Sequence, residues 1–212
     1  LGDVYKRQII DNLDSTKCMV KIGSISFNSI GKDITYYAAE KGFDIFLDLK
    51  LHDIPNTVKK TIQGLSLLPI SMLTIHTSGG KDMMMAAMES VSGTQIKVFG
   101  VTALTSLSDD EINEIFQRTS SEQVNAMLDL AESAGIDGIV CSAHELKLVK
   151  KRSTLLSITP GIRLSSKSND QKRIMTPKQA YKNGSDWLVI GRPLTKGNIQ
   201  KNLQLLLNHL NQ

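Results

Sequence analysis

From residue 18 onward, short apolar runs alternate with longer amphipathic ones, and this alternation is what most restricts the fold. The runs are CMVKI (18–22), DIFLD (44–48), SMLTI (71–75), IKVFGV (96–101), GIVCS (138–142), LLSIT (155–159) and WLVIG (187–191). Helical patterns fill 26–41, 55–67, 81–91, 122–134, 143–151, 177–183 and 198–210. Several close on glycine, as in EKG (40–42), SAG (133–135) and KNG (182–184), where a helix C-terminus often places a left-handed residue. Strands that are apolar at nearly every position leave no face for water. The βαβα order therefore predicts a parallel sheet covered by helices on both sides.

Seven runs fit two architectures unequally. An open doubly wound sheet accepts seven strands, but the GxGxxG turn that usually follows its first strand is absent. A (β/α)8 TIM barrel needs eight and can be built from about 200 residues. The opening octet LGDVYKRQ (1–8) is polar, shows no periodic pattern and does not begin with Met. If one strand is missing from this start, the barrel count is restored, with LLSIT and WLVIG as its last two strands. The expectation is one α/β barrel domain over residues 1–212, its first strand missing or replaced and residues 1–8 outside the pattern.

Composition narrows the function classes. The chain of 212 residues is 41% hydrophobic and 22% charged, with a formal charge of +4. Its basic residues are dispersed with few aromatics among them, a poor footprint for nucleic acid, and the mild basicity fits a small anionic ligand equally well. Cys18 and Cys141 form no CxxC or Cys/His cluster, so neither a disulfide framework nor a zinc site is expected and a reducing cytoplasm is the simpler location. No apolar run reaches the ~18 residues of a membrane span, and no signal-peptide pattern is present, so no membrane partner is expected.

Charges then stand out in FDIFLDLKLHD (43–53). Side chains alternate along a strand, so Asp48 and Lys50 are predicted to point the same way at the C-terminal mouth of the barrel, with Asp53 in the next loop. Lys21 closes its own strand two residues before Gly23 and should face the same mouth. A single charge at a strand end is most simply a structural ion pair or a solvated terminus. Four of alternating sign, at the face where barrels build active sites, favour chemistry. Carboxylates hold a neighbouring lysine protonated, and such an ammonium can deliver a proton to a developing carbanion.

Two further signals follow the last two strands. TPGIR (159–163) places Arg163, and IGRP (190–193) places Gly191 and Arg192, in the loops that commonly bind phosphate in barrels. Glycine lets backbone N–H groups approach an anion, and arginine offers a planar fork. GIRLSSKSNDQKR (161–173) is too polar for core and leaves the same face, as functional loops do. His76 is read as a structural histidine, and His52, His144 and His209 receive no role. MMMAAM (83–88) is read as a helix packing methionines on the barrel, and Cys141 as facing the core or the helix layer.

FDIFLDLKLHDIPNT (43–57) closely resembles the signature of the orotidine 5′-phosphate decarboxylase family, with its Asp-x-Lys-x-x-Asp core at Asp48, Lys50 and Asp53. The likeness continues in order through MVKIG (19–23), TIHTSGG (74–80), VTALTS (101–106), GIDGIVCSA (135–143), ITPGIR (158–163), DQKRIMTP (170–177) and VIGRP (189–193). It implies cofactor-free and metal-free loss of CO₂ from orotidine 5′-phosphate to give UMP, the last step of de novo pyrimidine nucleotide synthesis. Lys50 would donate the proton to C6, Asp48 would crowd the departing carboxylate, and Lys21 and Asp53 would complete the charge network. A homodimer is implied, with Asp53 and Thr57 entering the partner's site. Thr105 would lie near the pyrimidine, and Arg163, Gln171, Gly191 and Arg192 would hold the phosphate, Gln171 from a closing loop.

The family's first strand ends in a ribose-binding aspartate that nothing in residues 1–8 matches, and Asp3 is not given that role. An incomplete or misjoined reading frame is the corresponding expectation. Two rivals remain. One is a magnesium-dependent sugar-phosphate decarboxylase or aldolase of the same superfamily, which would carry an acidic ligand where this chain has Lys21. The other is a non-catalytic barrel that still binds nucleotide phosphate.

Overall fold

The computed structural model describes residues 2–163 and 175–211. In chain order the first half comprises α1 (Asp3–Asp11), β1 (Val20–Gly23), α2 (Ser24–Ile30), α3 (Asp33–Glu40), β2 (Ile45–Leu51), α4 (Pro55–Leu65), β3 (Met72–His76), α5 (Lys81–Ser90) and β4 (Lys97–Val101). The second half comprises α6 (Asp109–Phe116), α7 (Ser120–Ala134), β5 (Gly138–Val140), α8 (Leu146–Arg152), β6 (Leu156–Thr159), α9 (Pro177–Lys182), β7 (Trp187–Leu188), α10 (Arg192–Thr195) and α11 (Ile199–Asn211). The seven strands form one parallel sheet in sequential order. This is the α/β architecture expected, with no eighth strand among the described residues.

Alternation along the strands separates two apolar layers. Ile45, Leu47, Leu73 and Ile75 pack outward with Ile34, Ile62, Met83 and Met84 from the helices. Phe46, Met72, Phe99, Val101, Val140 and Ile158 form an inner cluster, joined by Trp187. The Phe99 and Trp187 rings meet edge to face with centroids 5.8 Å apart. Cys141 is fully buried in the outer layer, and burial pushes its thiol pKa up. Of the methionine run, Met83 and Met84 are buried as expected, whereas Met85 is exposed.

Several expectations are corrected. The octet without visible periodicity supplies most of α1, whose Ile10 is buried in the outer layer. The helix expected over 26–41 is two helices, because Gly31 at φ 85° ends α2. Of WLVIG only Trp187 and Leu188 form strand β7, and the Val189 backbone N–H adds one further bond to Thr159 O at 2.9 Å. Helix α6 was not anticipated, although SDDE (108–111) announces it: Ser108 and Glu111 form a reciprocal capping box.

Among the described residues β1 pairs with β2, and β7 with β6, but not with each other. Between them lies a cavity of about 720 Å³, bordered by α1 and α11 and lined mainly by apolar side chains such as Val20, Ile22, Leu188 and Leu206.

Candidate active site

Parallel strands deliver their C-terminal ends to one face, and there β1, β2 and β3 bring polar groups above the inner apolar cluster. Phe46 and Met72 belong to that cluster, and period two places Asp48 and Thr74 on the same side one step further along. Asp48 is the centre of the arrangement. Its Oδ1 accepts from Lys50 Nζ at 2.7 Å and from Thr74 Oγ1 at 3.1 Å, and its Oδ2 accepts from Lys21 Nζ at 3.0 Å. The Asp48 side chain is only 12% exposed, whereas Lys21 and Lys50 are each about one-third exposed, so the ammonium groups face the open mouth.

Electrostatics follow from this geometry. Burial is the largest single influence on the Asp48 carboxyl and acts to raise its pKa. The charges and hydrogen bonds of Lys21 and Lys50 together outweigh it, and the group titrates below the ordinary aspartate value. A carboxylate shared by two lysines is thus ionised over the whole neutral range.

The route by which Lys50 reaches Asp48 differs from simple alternation. Strand β2 runs to Leu51, three residues beyond the apolar segment DIFLD, and its pairing with β3 slips: Leu47 lies opposite Leu73, but Leu51 lies opposite Ile75. Three residues, Asp48 to Lys50, therefore face the single residue Thr74. This is a bulge, and it is absorbed by Lys50 at φ 53°, a left-handed conformation rare for a side-chain-bearing residue. Gly23 makes room on the other flank, since a Cβ there would stand 3.1 Å from Lys21 Nζ.

The fourth expected charge is not part of this intrachain cluster. Asp53 is exposed, and its Oδ1 accepts from the Ile54 backbone N–H at 2.7 Å. Thr57 is exposed in the first turn of α4. Thr105 is half-buried in the turn after β4. Arg163 follows β6, where its backbone N–H donates to Met175 O at 3.0 Å and its Nη1 donates to Ile162 O at 2.9 Å. Gly191 is the N-cap of α10 and Arg192 its first residue, both exposed. Gln171, with most of the polar stretch 161–173, lies outside the described residues.

Sequence reasoning missed the part played by Thr74 and the pairing of His52 with His76 at this face. Thr74 is fully buried yet touches both Asp48 and Lys50; a threonine within an apolar strand carries no signal of that role. His52 and His76 lie together with ring centroids 5.3 Å apart, a pairing invisible at 24 residues' separation. Burial first, and then the positive charges of His52 and Lys50, hold the His76 imidazole below its ordinary pKa. Among the described residues no group of three or more His, Cys, Asp or Glu is arranged to hold a metal ion, and no helix is long and apolar enough to cross a membrane.

The chain is similar to known proteins over most of its length. The model of the orotidine 5′-phosphate decarboxylase / HUMPS family matches residues 3–202. Orotidine 5′-phosphate decarboxylase of Saccharophagus degradans is 47% identical over 195 residues, covering 89% of this chain and 82% of that protein. The enzyme of the same name from Ehrlichia chaffeensis is 50% identical over 181 residues, covering 84% and 78%. Among solved structures, orotidine 5′-phosphate decarboxylase from Lactobacillus acidophilus superposes with a TM-score of 0.85 at 32% identity, covering 99% of this chain and 95% of that one.

Proposed function

The chain belongs to the orotidine 5′-phosphate decarboxylase / HUMPS family, and we infer from its charged site that it converts orotidine 5′-phosphate to UMP and CO₂, as a carboxy-lyase of pyrimidine nucleotide synthesis. The observation that carries this reading is Asp48 held between Lys50 and Lys21 at the mouth of the sheet.

In this reading the pyrimidine lies over the mouth with C6 toward Lys50 and its carboxylate toward Asp48. The C6–carboxylate bond breaks, its electron pair stays on C6, and CO₂ leaves. The Lys50 ammonium then gives a proton to C6 and recovers one from water. Asp48, kept ionised by its two lysines, repels the substrate carboxylate in the ground state, and that repulsion vanishes as neutral CO₂ forms. Only interactions that improve on the way to the transition state raise the rate, and these do. Arg163, Gln171, Gly191 and Arg192 hold the phosphate, and Thr105 lies near the base. Binding at that non-reacting phosphate helps to order the site.

Two copies of the single domain complete each site, Asp53 and Thr57 crossing to the partner. Support comes from their exposure beside Ile54, a large apolar side chain left 66% exposed. The enzyme works in the cytoplasm, where its nucleotide substrate is made.

The magnesium-dependent reading fits less well. Both oxygens of Asp48 already accept from lysine ammonium groups, and a divalent cation would have to displace one or sit against two positive charges. Purified protein assayed with orotidine 5′-phosphate should release CO₂ equally with and without a strong chelator. Turnover abolished by the chelator and restored by magnesium would overturn this reading in favour of the rival.

A further inference from the structure

We propose that Thr74 is the positioning residue that holds Lys50 and Asp48 in register for proton transfer, a role that rests on Lys50 being the proton donor. The bulge in β2 sets the problem. Where Asp48, Leu49 and Lys50 crowd opposite one residue of β3, the regular ladder has no backbone acceptor for the Lys50 N–H. Thr74 supplies one from its side chain: Lys50 N donates to Thr74 Oγ1 at 2.9 Å.

A hydroxyl has one proton and can accept while it donates. With its lone pair engaged by the Lys50 N–H, the Thr74 hydroxyl directs that proton to Asp48 Oδ1 at 3.1 Å. The same oxygen accepts from Lys50 Nζ at 2.7 Å. The three residues close a ring in which the backbone and the side chain of Lys50 are both tied to Asp48, one through Thr74 and one directly. Lys50 sits at φ 53°, which it would leave if nothing held its amide. Thr74 is fully buried, so water does not compete for either bond. Its β-branched side chain also restricts χ1, which fixes the oxygen between its partners.

The decisive comparison is Thr74→Val, which keeps shape and removes the hydroxyl, against Thr74→Ser, which restores the hydroxyl. Three readouts are taken on each full-length protein: steady-state decarboxylation of orotidine 5′-phosphate, UMP affinity, and hydrogen exchange of the Lys50 amide. The expected result is a kcat about ten- to a hundredfold lower in Thr74→Val, with UMP affinity retained and a melting temperature lowered by roughly several degrees, as a buried N–H left unpaired requires. Lys50 amide exchange should quicken in the same variant, and Thr74→Ser should recover both kcat and protection. Wild-type kcat and wild-type exchange in Thr74→Val would overturn the proposal. So would equal losses of kcat, UMP affinity and melting temperature in both variants, the signature of a merely structural threonine. If the unaltered chain turned over no orotidine 5′-phosphate, the functional reading would fail by itself, and the exchange data would still decide whether Thr74 holds Lys50.

Discussion

The Lys50 ammonium lies 2.7 Å from Asp48 Oδ1 although the Lys50 backbone is in the left-handed region at φ 53°. The conformation costs stability for any residue with a Cβ, and glycine escapes that cost. Lys50→Gly should therefore unfold in urea with a stability about 1 kcal/mol higher than Lys50→Ala. Both variants lack the ammonium, so a difference in this direction isolates the backbone. A Lys50→Ala variant as stable as Lys50→Gly would show that φ at this position carries no strain.

Gly23 adjoins the second ammonium. Its backbone is extended and admits alanine, but the new Cβ would stand 3.1 Å from Lys21 Nζ. Gly23→Ala should leave the melting temperature near that of the parent while kcat/KM drops by about three- to tenfold, since sub-ångström displacement of a charge at a reacting centre is costly. An unchanged kcat/KM would mean that Lys21 needs no fixed position.

The His76 imidazole makes stability pH-dependent. Burial, and then the charges of His52 and Lys50, lower its folded-state pKa beneath the ordinary value of about 6.5. The unfolded chain therefore binds the proton more readily. This contribution is fully present above about pH 6.5 and declines as pH falls toward the folded pKa. Urea unfolding between about pH 7.5 and about pH 5.5 should show a smaller pH slope for His76→Gln than for the parent. The Asp48 carboxyl, also lowered, contributes stability that is present above the ordinary aspartate pKa of about 3.9 and lost below it, outside this window. Equal slopes in the two proteins would rule out His76 as their source.

The proposed sharing of sites between two subunits can be tested with mixtures. Lys50→Ala and Asp53→Ala homodimers should each be inactive or nearly so. In a mixed dimer one site keeps Lys50 from one chain and Asp53 from the other, so co-refolding equal amounts should restore about a quarter of the parental activity. Additive, unrestored activity would confine Asp53 to its own subunit.

The sequence displayed the strand and helix alternation, the layer of buried strands and three of the charges that meet at the mouth, because periodicity and burial act over a few residues. It did not display the bulge. Asp48 and Lys50 look like alternation neighbours in DLK, and their side chains do meet, Lys50 Nζ donating to Asp48 Oδ1, but by a left-handed backbone and a slipped register that depend on β3. Thr74 was hidden for the same reason: its hydroxyl matters only because a particular strand turns irregular opposite it. Asp53 matched the motif yet stands apart from the cluster within one chain. The opening octet read as shapeless because a short amphipathic helix with one buried residue, Ile10, leaves little periodic trace.

The central claim is that Lys50, poised on Asp48, carries the decarboxylation. The most direct measurement is CO₂ release from orotidine 5′-phosphate by Lys50→Ala beside the parent chain, with circular dichroism and UMP binding recorded on the same samples. The account predicts no measurable turnover in the variant, with its secondary structure and UMP affinity largely retained. Near-parental CO₂ release by Lys50→Ala would contradict it.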